Sequence, residues 1–311
     1  MSTDNLTTIW RNQMTMQWLV VMFSLLVSGF AQAQITELDC DFKITAVPIT
    51  ITSPGTWCFD KDLTYSGSGN GPIDIKASNV TLDLNSHILR GPMDGGKVVT
   101  NSAYLTGVNV SGVCCTTDPT LQYNNIKIRN GTISGFHYGI TIQGNIHGSG
   151  HIIENMQIRD TASSAISFNT VKNAIVRNTT ISRLDASLCG ITSGCGNPAA
   201  VYGISASSSN GVKIENNTIT GMKGVNGISM GIYFVSTTNS IIEGNVVESV
   251  SPSNVSDIGI QVNSSPLVVN NRLIKVKTGI SMDAGTYYVR NITTGTITPY
   301  VGGTPKGTEN Y

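Results

Sequence analysis

One phrase recurs along this chain and restricts its fold more than any other feature: "IKIRNGTI", "HIIENMQI", "AIVRNTTI", "VKIENNTI", "SIIEGNVV", "LVVNNRLI" and "YYVRNITT". Each reads as a short strand followed by an asparagine turn, and self-similarity at such a period marks a stacked repeat architecture. Aligned, the phrases place Asn130, Asn155, Asn178, Asn216, Gly244, Asn270 and Asn291 in one column, with steps of 25, 23, 38, 28, 26 and 21 residues. The long step contains the loop "CGITSGC" and reads as a normal coil plus an insertion.

Two positions before the column stand Ile128, Ile153, Val176, Ile214, Ile242, Val268 and Val289; three positions after it stand Ile133, Ile158, Ile181, Ile219, Val247 and Leu273. Stacking turns each set into a continuous aliphatic ladder, which is how a repeat that cannot bury its own face becomes stable. A second strand per coil is read in "YGITIQG", "SAISFNT", "YGISASS", "GIYFVST", "IGIQVNS" and "TGISMDA", with period-2 alternation. Strands this short, joined by Gly and Asn turns and lacking a long 3.6-residue period, predict an all-β solenoid, a single-stranded parallel β-helix with asparagine-ladder turns. Asparagine suits the turn because it tolerates a left-handed backbone, and its amide can bond its equivalents one coil above and below. The N-x-S/T sequons at Asn130, Asn178, Asn216 and Asn291 are accordingly read as ladder turns in preference to glycan sites.

The segment ahead of the repeats has the order of a secretory signal: Arg11, an apolar run from Trp18 to Phe30, and Ala31-Gln32-Ala33 before Gln34. The run is interrupted by Ser24, Ser28 and Gly29 and falls short of the ~20 residues a bilayer span needs. The expected organisation is thus a signal peptide over 1–33, the β-helix over 34–295 and a Gly- and Pro-rich tail over 296–311, with Met14 and Met16 as equally good starts. In the tail, Tyr300 is placed to cap the end of the stack. Export to an extracellular or periplasmic compartment makes disulfides the default for Cys40, Cys58, Cys114, Cys115, Cys189 and Cys195. Proximity favours Cys40 with Cys58 and Cys189 with Cys195, leaving adjacent Cys114 and Cys115 to bridge each other or pair elsewhere.

Charged residues make up only 12% of the chain and the formal net charge is zero, with no basic stripe. Nucleic acid and anionic membrane surfaces are therefore not expected partners, and no membrane insertion is expected after signal cleavage. One charge pattern does recur, in the position before the asparagine column: Arg129, Glu154, Arg177, Glu215, Glu243, Val269 and Arg290. Alternating signs at a coil spacing of ~4.8 Å favour a cross-coil ladder of ion pairs over a charged substrate groove.

The asparagine-turn phrases, the opening "ITSPGTWCFDKDL" and the segment "NVTLDLNSHILRG" together resemble the right-handed parallel β-helix repeat proteins of the pectate-lyase-like superfamily, across nearly all of residues 40 to 295. The resemblance implies a right-handed solenoid. It does not imply one activity, since the superfamily includes pectate lyases, polygalacturonases, epimerases, phage tailspikes and proteins without known activity.

The chemistry of these enzymes is not written in the chain. No two aspartates are adjacent, "GNIHGSGH" carries His147 and His151 without accompanying carboxylate motifs, and the outward carboxylates are isolated. No metal or organic cofactor is expected. The best catalytic candidates are His147, His151 and Glu154, with His137 and Tyr138 on a neighbouring coil. For binding, Tyr138, Tyr202 and Tyr233 recur beside the second strand, as a sugar-stacking row or as half-buried tyrosines. The sequence thus reads as a secreted β-helix in non-catalytic contact with polysaccharide or cell-surface glycan. The alternative is a polysaccharide lyase, hydrolase or epimerase with an unrecognised site.

Overall fold

The computed structural model of the chain describes residues 39–67, 71–96, 105–111, 122–144, 148–188, 200–224, 228–249, 256–307 and 309–310. The segment expected to be a signal peptide lies outside them, as do Cys114, Cys115, Cys189, Cys195 and His147. Strands pair in parallel from coil to coil, forming an 18-stranded sheet that begins with Phe42–Ile44 and a ten-stranded sheet that begins with Ile49–Ile51. Each typical coil contributes three stretches, where the sequence pattern predicts two. One coil, for example, gives Ile175–Arg177 and Thr180–Asp185 to the larger sheet and Val201–Ser207 to the smaller.

The bend between the first two stretches falls on the asparagine column. Asn130, Asn155, Asn178, Asn216 and Asn270 have φ between 51° and 58°, and Gly244 has φ 66°. This left-handed region is open to Asn and Gly at low steric cost. The aliphatic columns fall into register as the repeat predicts. Ile128, Ile153, Val176, Ile214, Ile242 and Val268 follow one another with 0% exposure, as do Ile133, Ile158, Ile181, Ile219, Val247 and Leu273. Period-2 alternation puts these side chains inside, where they join one core that runs the length of the stack.

The last coil departs from the expected alignment by one residue. Val268 pairs with Tyr288 and Val269 with Val289, so Arg290 (φ 54°) takes the turn position assigned above to Asn291, and Tyr288 replaces Val289 in the core. Asn291 instead belongs to a second asparagine column, one residue further on. Asn217, Asn245, Asn271 and Asn291 are 0–1% exposed, and each of the first three donates from Nδ2 to Oδ1 of the next at 3.0 Å. The side-chain oxygens also accept the backbone N–H one coil back: Thr179 N–H donates to Asn217 Oδ1, Asn217 to Asn245, Asn245 to Asn271 and Asn271 to Asn291. The principal amide ladder is therefore this inward column. The residue after the left-handed turn points inward, and a buried amide there must find its partners among its own kind. In the outward column the side-chain link is weaker, with Asn155 Nδ2 donating to Asn130 Oδ1 at 3.4 Å.

The charged column forms ion pairs between coils. Arg129 Nε donates to Asp83 at 2.6 Å, while Arg177 binds Glu154 through Nε at 2.8 Å and Nη2 at 2.6 Å. Glu154 also meets Lys127 at 2.5 Å.

Both ends of the stack are closed by aromatic side chains. At the start, the disulfide Cys40–Cys58 (Cα–Cα 5.8 Å) ties the first strand to the next coil, beside the stacked rings of Phe42 and Trp57. The other end lies within the segment expected to be a tail, where residues 296–307 and 309–310 are described. Thr298–Val301 and Thr304–Pro305 extend the two sheets by another turn. There Tyr300 stacks on Tyr288 and donates its hydroxyl to the Asn291 carbonyl at 2.7 Å, and Asn310 Oδ1 accepts the Asn291 N–H at 3.3 Å.

Two neighbouring substitutions test which asparagine column carries the stack. Asn271→Ala takes the acceptor from the buried Asn245 backbone N–H, breaks the side-chain link from Asn245 Nδ2, and removes two buried side-chain-to-carbonyl bonds, to Ile242 and Val269. It should cost about 3 kcal/mol or more. Asn270→Gly keeps the left-handed turn and should cost no more than about 0.5 kcal/mol. Urea unfolding of the two variants measures the difference, and equal costs would reject the assignment.

Candidate functional site

Three columns of side chains run along the outer side of the ten-stranded sheet, all of them partly exposed except Thr106, Ser164 and Met230 in the first, which are buried. Over six successive strands, from Thr106–Ser111 to Ser256–Asn263, the first column reads Thr106, Tyr138, Ser164, Tyr202, Met230 and Ile258. The second reads Asn109, Thr141, Ser167, Ser205, Tyr233 and Gln261, and the third Ser111, Gln143, Asn169, Ser207, Val235 and Asn263. None of these residues is charged. Many of the polar ones bond each other, as in Asn109 with Ser111, Ser207 with Asn169, and Gln261 with Asn263.

Tyr138 and Tyr202 share one column with Ser164 between them, whereas Tyr233 sits three residues further along its strand, opposite Ser205. The three tyrosines are therefore not strictly equivalent positions, yet they converge. The rings of Tyr202 and Tyr233 stack with centroids 5.4 Å apart and planes 28° apart. Burial, and after it the nearby phenols of Tyr233 and Tyr138, raise the Tyr202 hydroxyl above its ordinary pKa. All three rings are half-buried, each leaving part of its surface on the outer face.

The catalytic candidates are placed differently. His151 is 1% exposed, neither ring nitrogen has a hydrogen-bond partner among the described residues, and burial lowers its pKa to about 4. It occupies the corner position held by Ile126 and Ala174 in adjacent coils, as the backbone bonds from Ile152 to Ile126 and from Ile175 to His151 show. His137 is equally buried, packs edge-on against Tyr138 at 4.6 Å, and is also lowered to about 4 by burial. Glu154 lies in the ion-pair column, 6% exposed. Burial alone would raise its pKa, but the hydrogen bonds and charges of Lys127 and Arg177 outweigh that and hold it low. A carboxylate held between two cations is poorly suited to donate a proton, and a buried neutral imidazole has no substrate within reach.

A second polar cluster has no counterpart in the sequence reading. On the larger sheet, the Ser134 hydroxyl stands between Asp94 and Asp160, touching Asp94 Oδ1 closely and Asp160 Oδ2 at 3.1 Å. Arg183 bonds Asp160 at 2.6 Å, Arg90 bonds Asp94 at 3.2 Å, and Arg159 lies 3.4 Å from Asp160. The cluster clasps a loop. The Gly95 N–H reaches Asp160 at 3.3 Å, and a Cβ on Gly135 would fall 2.1 Å from the Asp94 nitrogen. Only glycine allows that approach. Sixty-six residues separate Asp94 from Asp160, so the one local signal is the four-residue spacing of Arg90 and Asp94. Among the described residues no group of three or more His, Cys, Asp or Glu is placed to hold a metal ion.

No protein-family model and no curated protein sequence matches the chain. Several solved structures do. Pectate lyase Pel9A is 11% identical over 83% of this chain and 71% of its own, with a TM-score of 0.51. The enzymatically active domain of bacteriophage CBA120 tailspike protein 2 is 16% identical over 86% of this chain, with a TM-score of 0.51. DFA-IIIase from Arthrobacter chlorophenolicus A6 is 10% identical over 82% of this chain, with a TM-score of 0.44. The chain spans 38% of the tailspike domain and 63% of the DFA-IIIase, less than two thirds of either. At such identities the likeness speaks for the fold alone. Two parallel sheets, coil-to-coil register and this likeness together make the chain a right-handed parallel β-helix with the pectate-lyase-like fold.

Proposed function

We propose that the protein is exported and makes non-catalytic contact with polysaccharide or cell-surface glycan through the outer face of its ten-stranded sheet. The observation that carries this reading is the stacked pair Tyr202 and Tyr233, with Tyr138 nearby, on a face otherwise lined by hydroxyls and amides. Sugars present an apolar C–H face and a rim of hydroxyls. Aromatic rings take the first, and Ser, Thr, Asn and Gln take the second. The disulfide Cys40–Cys58 is in keeping with an oxidising compartment.

The rival reading is a carbohydrate-active enzyme, and the pair Asp94 and Asp160 is the observation that favours it. Two carboxyls bridged by one hydroxyl lie close enough for paired glycosidase chemistry. Against it, guanidinium groups engage both carboxylates. For Asp94, burial pulls upward, but the hydrogen bonds of Ser134 and Arg90 prevail and keep the group below its ordinary range. General acid catalysis at neutral pH needs the opposite shift.

Two expectations follow from the proposal. In a screen of the purified protein against acidic and neutral polysaccharides, binding should appear without release of reducing ends or unsaturated products. Tyr202→Ala should then weaken binding about twofold to tenfold, the range one aromatic contact supplies. Product release that Asp160→Asn abolishes would establish the enzyme instead.

The buried histidines set the second expectation. His137 and His151 are lowered to about 4 by burial, so the folded state binds fewer protons than the unfolded state between pH 4 and 6.5. Their contribution is full above about pH 6.5 and is lost as pH falls to about 4, at up to about 3 kcal/mol each. Asp257 behaves oppositely. It is 0% exposed, and burial, eased slightly by Ser249, raises it to about 6. Its carboxylate destabilises the fold above about pH 6, and the penalty disappears as pH falls. Asp257→Asn should therefore stabilise at pH 8 and not at pH 4, while His151→Leu should flatten the acid side of the stability curve; urea midpoints across pH measure both.

A further inference from the structure

The two walls of the solenoid differ sharply in charge. On the larger sheet, the first stretches of five successive coils carry ten outward positions: Lys127 and Arg129, Ile152 and Glu154, Ile175 and Arg177, Lys213 and Glu215, Ile241 and Glu243. Seven of these ten are charged. On the ten-stranded sheet, the three columns of Thr106–Ser111 through Ser256–Asn263 hold eighteen positions, of which Thr106, Ser164 and Met230 are buried, and no charge, although these strands too pair in parallel from coil to coil. Charge resumes only at the margins of that face, with Asp74 and Lys76 before it and Asp283 after it. A face that selected an acidic chain would need cations to offset the cost of stripping water from each carboxylate. This one offers none.

The columns also supply a direction. In the second column each of the six coils presents a hydroxyl or an amide, and in the third five of the six do, so polar groups of varying type recur along the axis at ~4.8 Å. The tyrosines are spread along the axis as well: Tyr138 and Tyr202 share a column two coils apart, about 10 Å, and Tyr233 stands on the next coil, three residues across, with its ring stacked on that of Tyr202. An extended ligand whose own units repeat at nearly the coil spacing meets a hydroxyl or an amide of the second column at each step.

We infer that the ligand of this face is an uncharged, extended, β-linked glycan lying along the solenoid axis, with sugar rings over Tyr138 and over the Tyr202–Tyr233 pair. The inference rests on the glycan-binding reading above and narrows it to one chemical class and one orientation. It also assigns the ion-pair wall a structural part only, outside ligand contact.

Calorimetry with matched sets of oligosaccharides tests it: di- to hexasaccharides of neutral β-linked glucan and xylan, and the acidic hexasaccharides of galacturonate and guluronate. The expected result is binding to at least one neutral hexasaccharide that changes less than twofold between about 50 mM and about 500 mM salt, where exposed charge pairs are screened. Affinity should rise at least tenfold from disaccharide to hexasaccharide, and Tyr138→Ala and Tyr233→Ala should each reduce hexasaccharide affinity at least threefold. Preferential binding of the acidic hexasaccharides, dependent on Tyr202 and weakening with salt, would overturn the neutral class while leaving glycan binding in place. Equal affinity for disaccharide and hexasaccharide would overturn the axial orientation. Binding to none of the sets, or binding that Tyr202→Ala leaves untouched, would overturn the glycan reading and this inference with it.

Discussion

Parallel pairing between coils forces every residue to live beside its own equivalents. At ~4.8 Å the nearest neighbours of a side chain are those at the same position one coil above and one below, and the chain cannot avoid them. Whatever occupies a column must therefore get along with itself. Aliphatics do so by packing, and the Ile and Val columns of the core show it. Asparagine does so because its amide carries both donor and acceptor, and Asn217, Asn245, Asn271 and Asn291 bond in a line. Charges do so only by alternating, and Glu154 is held by Lys127 on one neighbouring coil and Arg177 on the other. Where like charges do meet, at Glu215 and Glu243, Lys213 lies within 4 Å of both.

This constraint also explains how much could be read from sequence. Columns of equivalents leave a visible period, so the repeat, the two aliphatic ladders and the charged column are legible as text. Inside and outside are less legible where both neighbours at a turn favour Asn. The left-handed position and the inward position after it each select asparagine for different reasons, one for φ and one for burial. "NNTI" and "NNRLI" hold both in adjacent letters, so the alignment slips by one at Asn291 without any local contradiction. The tyrosines illustrate another limit. Tyr233 is displaced three residues from the column of Tyr202, and only the reach of two long side chains brings the rings together. The clasp of Asp94, Ser134 and Asp160 was beyond pattern reading altogether, because a loop docking against Gly135 creates it and no period records it.

The candidate residues divide by the same logic. His137 and His151 look like chemistry on the page because histidine is rare here, yet each fills a corner where neighbouring coils place apolar or small residues. Glu154 looks like an isolated carboxylate until its neighbours one coil away are counted. The face proposed for glycan contact is the one whose composition the ladder constraint does not explain. Nothing in stacking demands that six coils of one wall lack charge while the opposite wall is rich in it, or that aromatic rings gather where hydroxyls and amides dominate.

The buried amide ladder has a consequence for how such a chain can change length. Its amides all run the same way, Nδ2 to the next Oδ1, from Asn217 to Asn291, and the last backbone link passes to Asn310. A directional series of this sort has no internal start or stop, so a duplicated coil bearing its own inward asparagine would slot into the line with both ends satisfied. A duplication of half a coil would shift every column below it, turning amides toward aliphatics and carboxylates toward the core. The solenoid can therefore grow or shrink only in whole turns, and each added turn would lengthen the uncharged wall by one row.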